Sequence, residues 1–521
     1  MSAPSLAPVS PPPAHHFGYK QELHRGVGTF ASFAAGFSFV SILTTVFQLF
    51  GLGFALGGST FFWAWPLVFA GQLLVALCFA ELAARWPVSG VIFQWSSRLA
   101  NTTTGWFVGW IMIIGQILTV AAAAIAVQAV LPSIWSGFQI VGGSGADPSL
   151  ASPTGAQNAV LLGIILLVFT TAVNILGIRQ MAISTSIGVS VEIIGVIVLV
   201  AILFFLPERG PSVIFHTEGW SGTGSYFSAF LASSLMAAYV MVGFDSAGEL
   251  AEETHSPRKT TPKTILRALI ISGIGGALLI LAALMAAPSL TDGNLATGGL
   301  AWVLTERLGD VLGRLLLCCV AVAVFVCTLA VQTSGARMMY SMAREKALPF
   351  HKQLAKVSPR TGTPIITSIV VGLGAMIALA VNINQSAIFT ALASLCIGML
   401  YLAYLGVTLP LLFTRIKHLK TDHFPSGVDE DGVPQFSLGK FGIAINVVAV
   451  LYQIGMIVNL MWPRPEIYDL TGGTWWLQWS ALLFTGICLL GGAAYFFLRR
   501  LHRTIELAHI PHTHVPAPVP A

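Results

Sequence analysis

Met241 to Leu250 reads MVGFDSAGEL, inside an apolar segment that begins at Ser225. Asp245 stands there between two glycines, Gly243 and Gly248. A charged side chain at the centre of a membrane helix costs roughly 2.5–3.5 kcal/mol on insertion scales. Backbone groups left unpaired in hydrocarbon add to that penalty, so a membrane helix opens only where it lines a cavity. A carboxylate beside two helix-loosening residues therefore reads as a helix interrupted at an internal chamber.

That reading needs a membrane, and the composition supplies one. Of 521 residues, 55% are hydrophobic and 9% charged, against about 25% charged in a soluble domain. Mean hydropathy is +0.81. A chain this apolar cannot cover itself with polar surface and reads as a polytopic membrane protein. The net charge of +5 carries no message about nucleic acid, because in a membrane protein the placement of Lys and Arg matters more than their excess. Cys78, Cys318, Cys319, Cys327, Cys396 and Cys488 all lie in apolar runs. They show neither disulfide-framework nor metal-ligand spacing and read as small core residues. The opening MSAPSLAPVSPPPAHHFGYK is polar and Pro-rich, with no cleavable signal peptide expected. Residues 1–24 and 506–521 read as disordered cytoplasmic tails, and His509, His512 and His514 as a solvated tail rather than a metal site.

A bilayer-crossing helix needs about 20 apolar residues. The uncharged run between Arg25 and Glu81 holds two, turning at Gly57-Gly58-Ser59. A third lies between Arg98 and Asp147, a fourth over Asn158–Ile178, a fifth over Ile183–Leu206 and a sixth over Ser225–Leu250. Leu266–Ala287 and Leu312–Met342 are the seventh and eighth. The run from Thr361 to Thr414 holds the ninth and tenth, split at Asn382–Gln385; Phe441–Met461 and Trp475–Leu498 complete twelve. With the amino terminus in the cytoplasm, only Arg209, Arg307, Arg314 and Arg464 of the 26 Lys and Arg fall outside, as the positive-inside rule requires. The expectation is an all-α integral membrane protein of the plasma membrane, with twelve transmembrane helices, both termini cytoplasmic, and one transporter domain over residues 25–505.

A second span is interrupted. Gly36 to Phe54 reads GFSFVSILTTVFQLFGLGF and puts Gly36, Ser38, Ser41, Thr44 and Thr45 near mid-membrane. The first and sixth spans are equivalent in a five-plus-five repeat, residues 25–206 and 225–415, with the last two helices over 441–498. Five is odd, so the second unit is inverted. The halves share little letter by letter, and the repeat rests on layout. Interrupted segments at corresponding positions of two halves point to a transporter's binding site. A broken helix bares N–H groups on one side and C=O groups on the other. The first suits a carboxylate, the second an ammonium or a metal cation. A zwitterion with both groups on one carbon fits the pair, which makes amino acids the natural ligand class, with simple amines left open. The partners expected are a small zwitterionic or cationic solute and the lipid bilayer, with no nucleic acid and no obligate protein partner.

Three stretches carry a family resemblance. GFDSAGELAEETHSPRKTTPKTI (Gly243 to Ile265) resembles the sixth span and following loop of amino acid permeases of the amino acid–polyamine–organocation superfamily. SGARMMYSMAREKALPFHKQLAKVSPRTGTPI (Ser334 to Ile366) is similar to that family's eighth span and the loop after it. FAELAARWPVSGVIFQWSSRLA (Phe79 to Ala100) resembles the loop after its second span. The resemblance covers residues 20 to 500 and lies nearest the amino acid/choline transporter branch. It implies the inverted-repeat fold with discontinuous helices one and six, and alternating access driven by an ion gradient or by exchange.

The resemblance also distributes roles. Ser41, Thr44 and Thr45 map onto the unwound part of the first span, where the family has a glycine-rich stretch and this chain reads SILTT. With Gly243, Phe244 and Asp245 they form the expected substrate site. Phe244 stands where the family places an aromatic gate. Asp245 is also a candidate proton carrier or cap of the broken helix. Glu192 on the fifth span takes the place of a charged residue that some proton-coupled relatives carry. Ala330, Thr333 and Ser334 match the spacing of a sodium site in same-fold relatives, and hard cations want oxygen ligands. The coupling ion, H+ or Na+, is left open, and no cofactor or other metal is expected. Glu249, Glu252 and Glu253, with Arg258, Lys259 and Lys263, gather at the cytoplasmic end of the sixth span. The family analogy makes Glu252 and Glu253 an inner gate with Arg85 or the eighth-span loop. Gln116, Gln128 and Gln332 are further polar residues within spans.

Other function classes fit less well. A channel needs a continuous polar stripe, which no span carries. A membrane enzyme needs a metal motif or nucleophile triad, and none appears. A transporter-like nutrient sensor is a remote alternative: long cytoplasmic tails would favour it, and the tails expected here are short.

Overall fold

The structure, a computed structural model, describes residues 22, 23, 26–150, 152–220, 225–381, 383, 388–417, 435–468, 474–505 and 507. Apart from residues 22, 23 and 507, the expected tails, with His509, His512 and His514, lie outside the described residues, as does most of Asn382–Gln385. Among the described residues the fold is helical throughout; its one extended pairing is the isolated bridge between Val27 and Thr254.

The helices in chain order are α1 (Thr29–Val40), α2 (Ile42–Gly57), α3 (Ala64–Arg85), α4 (Val91–Leu99), α5 (Thr102–Ile134), α6 (Pro153–Leu176) and α7 (Ile178–Phe205). There follow α8 (Tyr226–Val240), α9 (Ser246–Glu249), α10 (Pro257–Ala286), α11 (Gly293–Arg344), α12 (His351–Leu354) and α13 (Ile365–Val381). The last are α14 (Ile388–Lys417), α15 (Gly442–Met461), α16 (Pro465–Tyr468), α17 (Trp475–Gln478) and α18 (Ser480–Leu498). Ten helices among the described residues are long and apolar enough to cross a membrane, counting α1 with α2 as one. Two shorter apolar helices, α8 and α13, stand beside them.

Local chemistry sets the boundaries. Asn101 caps α5 by accepting the Thr104 N–H at 2.8 Å, and Ser152 caps α6 by accepting that of Gly155 at 2.9 Å with Pro153 at the first position. The expected turn at Gly57-Gly58-Ser59 is present, with Gly58 at φ +58°. α11 is longer than the expected eighth span because helix continues on both sides of two non-helical glycines, Gly299 and Gly309. The stretch after the second span forms a short buried helix, α4, rather than a loop.

α5 runs through the interior, packed on α11, α14, α4 and α6. Close approach rests on small residues: Gly115 faces Leu400 and Met399 of α14, and Gly335 of α11 faces Gln116 of α5. α15 and α18 are peripheral, with Leu451, Val458, Ile487 and Leu490 exposed as a lipid-facing surface requires. The core therefore sits where α1, α2, α5, α8 and α11 meet.

Candidate functional site

The first span breaks at one residue. α1 ends at Val40 and α2 begins at Ile42; between them Ser41 has φ +35° and ψ 92°. Ser41 N–H still reaches Phe37 O at 2.8 Å, and Thr45 N–H reaches Ser41 O at 3.0 Å. The first-turn N–H groups of α2 have no carbonyl of their own helix to bond. Glu192 of α7 fills that role: its Oε1 accepts the Leu43 N–H at 3.2 Å and lies 2.9 Å from Ser41 Oγ. Ser41 Oγ is also 2.7 Å from Thr44 Oγ1. Each hydroxyl has one proton, so Ser41 donates to the carboxylate and accepts from Thr44.

The sixth span breaks over Met241–Asp245. α8 ends at Val240, Gly243 adopts φ +88°, and the chain re-enters helix at Ser246. Gly243 is required twice over: a side chain is disfavoured at that φ, and a Cβ there would overlap the Phe39 ring of α1. The two breaks thus touch. Their freed backbone groups find side chains from other helices. Gln72 of α3 donates to Met241 O at 3.0 Å, and Tyr404 of α14 accepts the Gly243 N–H at 2.8 Å. The Tyr404 hydroxyl in turn donates to Asp245 Oδ1. Asp245 is buried, and its Oδ2 has no hydrogen-bond partner. Phe244 packs into an aromatic cluster, 5.7 Å from Phe79 and 5.3 Å from Tyr404 between ring centres, with Trp95 against Phe79.

Between the breaks lies a small cavity. Phe39, Thr44 and Thr45 line it from the first span, and Tyr239 and Val242 from the sixth. Thr119 and Ala123 of α5 and Cys327 and Val331 of α11 complete the wall. Its volume is ≈ 10 Å³, on the order of one water molecule and far below an amino acid.

Beyond the sixth-span break, the segment around Glu249–Glu253 is held by ion pairs. Arg337 of α11 grips Glu253 at 3.1 and 3.3 Å, both side chains fully buried. Arg344 grips Glu252 through two hydrogen bonds of 2.9 Å. Glu249 Oε2 accepts the Gly90 N–H at 2.7 Å, and Glu252 Oε1 accepts that of Ser89 at 3.0 Å, tying the end of the sixth span to the start of α4. Ser341 donates to Ser89 O at 2.9 Å and joins α11 to the same point. Arg85 belongs elsewhere: it pairs with Glu81 at 3.2 Å, and Glu81 also binds Arg415 of α14. Arg337 and Arg344, which pair with Glu253 and Glu252, both belong to α11, the helix that contains the eighth span.

A family model described as "Amino acid permease" matches residues 27–489. The chain belongs to the amino acid permease family. It is a multi-pass membrane transporter, not an enzyme. Amino-acid permease BAT1 of Arabidopsis thaliana is 28% identical to it over 95% of each chain. The branched-chain amino acid permease BcaP of Lactococcus lactis is 25% identical over 88% of this chain and 90% of the relative. The GABA-specific permease of Saccharomyces cerevisiae is 23% identical over 92% and 82%.

The remaining polar residues of the permease lie outside the cavity wall. Thr333 donates toward Asn174 Oδ1 and Leu329 O, both at 2.7 Å, and Ser334 Oγ accepts from Gln116 Nε2 at 3.0 Å. Gln332 reaches Thr171 of α6. Each is engaged with another helix, and Ala330 is buried beside them. Gln128 belongs to a polar knot with Gln139 and Asn158 at the outer ends of α5 and α6. Among the described residues no cluster of three His, Cys, Asp or Glu side chains could hold a metal ion. Sequence reading missed Tyr239, Tyr404, Gln72, Arg337 and Arg344. For Tyr239 a signal existed, an aromatic set in the small-residue run LMAAYVMVG four positions before Gly243.

Proposed function

We propose that this permease is a secondary active carrier that moves amino acids across the plasma membrane by alternating access, using the paired breaks in the first and sixth spans as its binding site. The single observation that carries the reading is that the two interruptions abut each other and share one buried cavity. Adding the shorter helices α8 and α13 to the ten long ones gives twelve spans, with repeats of five related by inversion and both termini in the cytoplasm. Thr44, Thr45, Ser41 and Gly243 present hydroxyl and backbone groups to the solute, and Asp245 both supports the sixth-span break and takes part in coupling. The cavity wall carries no charged side chain, which suits a solute with a neutral side chain. The ion pairs Glu252–Arg344 and Glu253–Arg337 act as the cytoplasmic gate, so this conformation is closed on that side. Transport is coupled to H+ or Na+, or proceeds by exchange. The name of the yeast relative keeps GABA, which separates its charged groups by a longer chain, as a second candidate solute; choline and polyamines complete the panel.

Purified protein in liposomes tests the proposal. It should accumulate at least one labelled amino acid faster under an imposed proton or sodium gradient than without one. Absence of uptake across all amino acids, GABA, choline and polyamines would overturn it.

A further inference from the structure

Glu192 stands where an amino acid's own carboxylate would be expected. The amino end of α2 presents N–H groups that no carbonyl of the helix can satisfy, and that end favours negative charge. Thr44 and Thr45, on this same first turn, line the cavity between the two breaks. A carboxylate already sits on the turn: Glu192 Oε1 accepts the Leu43 N–H and the Ser41 hydroxyl. Its other oxygen, Oε2, is buried with no hydrogen-bond partner among the described residues, and the residue is 0% exposed. We propose that the Glu192 carboxylate is an internal stand-in for the carboxylate of the transported amino acid, so that the solute binds by displacing it. The inference rests on the amino acid transporter reading and names the mode of recognition at that site.

Two carboxylates cannot share the turn while both are ionised, because like charges at close range repel strongly in a medium of low polarity. Among the described residues, the helices packed on α7 give Glu192 no positive partner. α1, α2 and α6 contain no ionisable residue. The basic residues of α10, Arg258, Lys259, Lys263 and Arg267, all lie in its amino-terminal half, toward the cytoplasmic end. On its own helix the nearest ionisable residue is Arg179, thirteen positions away at the start of α7. From α11 the ionisable groups facing this region are the thiol of Cys327, in the cavity wall with its Sγ 3.7 Å from Phe39 O, and that of Cys319, eight residues earlier on the helix and against Gly195. The charge of an arriving carboxylate is therefore balanced by a proton on Glu192. The neutral acid releases Leu43 N–H and Ser41, and the solute carboxylate takes them. Each amino acid bound brings one proton from solution, and its release on the far side lets Glu192 re-ionise and reclaim the turn.

The experiment compares leucine with isopentylamine, which lacks the carboxylate, and isocaproate, which lacks the amine. Binding to the full-length protein is read by thermal stabilisation across mildly acidic to mildly alkaline pH in sodium-free buffer. Leucine affinity of the wild type should rise up to about tenfold per unit fall in pH, the slope of one linked proton. Isocaproate should follow the same slope, and isopentylamine should show none. In Glu192→Gln leucine binding should lose that slope. A second measurement needs no variant: in weakly buffered solution, leucine binding to the wild type should draw protons from the medium and raise its pH. A wild-type affinity for leucine independent of pH, binding without proton uptake, or an unchanged slope in Glu192→Gln would each overturn the proposal. Failure of the transporter reading looks different, as absence of uptake of any amino acid by the wild type. If leucine is not among the solutes taken up, the same three-way comparison uses the best-transported amino acid, its amine and its acid.

Discussion

Tyr404 holds Asp245. The phenol of α14 accepts the Gly243 N–H at 2.8 Å and passes its own proton toward Asp245 Oδ1, so one side chain satisfies two groups released by the break in the sixth span. Tyr404→Phe keeps the ring in its cluster with Phe79 and Phe244 but strands a buried N–H and a buried carboxylate. Each stranded group costs about 1–3 kcal/mol. The variant should melt several degrees lower and transport more slowly, as measured by thermal unfolding in detergent and uptake in liposomes.

Asp245→Asn keeps the shape of the side chain and removes its charge. Tyr404 can still donate to the amide oxygen, so the fold should survive. Gradient-driven uptake is expected to be abolished. Uptake at the wild-type rate would make the carboxylate a structural cap and nothing more.

Gly243 cannot tolerate a side chain, since φ +88° and the Phe39 ring both exclude a Cβ. Gly243→Ala should destabilise by more than about 1 kcal/mol and lower transport. Gly486→Ala on the periphery, where a Cβ meets open space, should leave both unchanged within error. The comparison is read from melting temperature and initial uptake rate of the two variants side by side.

The proposed cytoplasmic gate makes a prediction about access. Cys327 lines the cavity and is buried. Removing one partner of a buried ion pair leaves an uncompensated charge worth roughly 3–5 kcal/mol, so Arg337→Ala should favour conformations open to the cytoplasm. A membrane-impermeant maleimide supplied from the cytoplasmic face should then label Cys327 faster than in the wild type, with the Cys327→Ala background as control.

Much of this site was legible in the sequence because its signal is local. Gly243 and Gly248 around Asp245 marked one break, and a run of hydroxyls at Ser41, Thr44 and Thr45 marked the other. Hydropathy and the placement of Lys and Arg ordered the helices between them. The partners of the breaks were not legible. Gln72, Glu192 and Tyr404 lie 169, 149 and 161 residues from the backbone groups they satisfy, and no periodicity in one chain links them. The choice between Arg85 and the eighth-span loop as partner of Glu252 and Glu253 was open for the same reason: a glutamate pair shows that cations are needed, and only packing brings Arg344 and Arg337 of α11 to them.

The most direct test of the central claim is an experimental density map of the purified protein with a transported amino acid bound. The account predicts both spans interrupted, at Ser41 and over Met241–Asp245, with the solute between Thr44 and Thr45 on one side and Tyr239 and Val242 on the other. Two uninterrupted helices, or a solute bound away from that cavity, would contradict it.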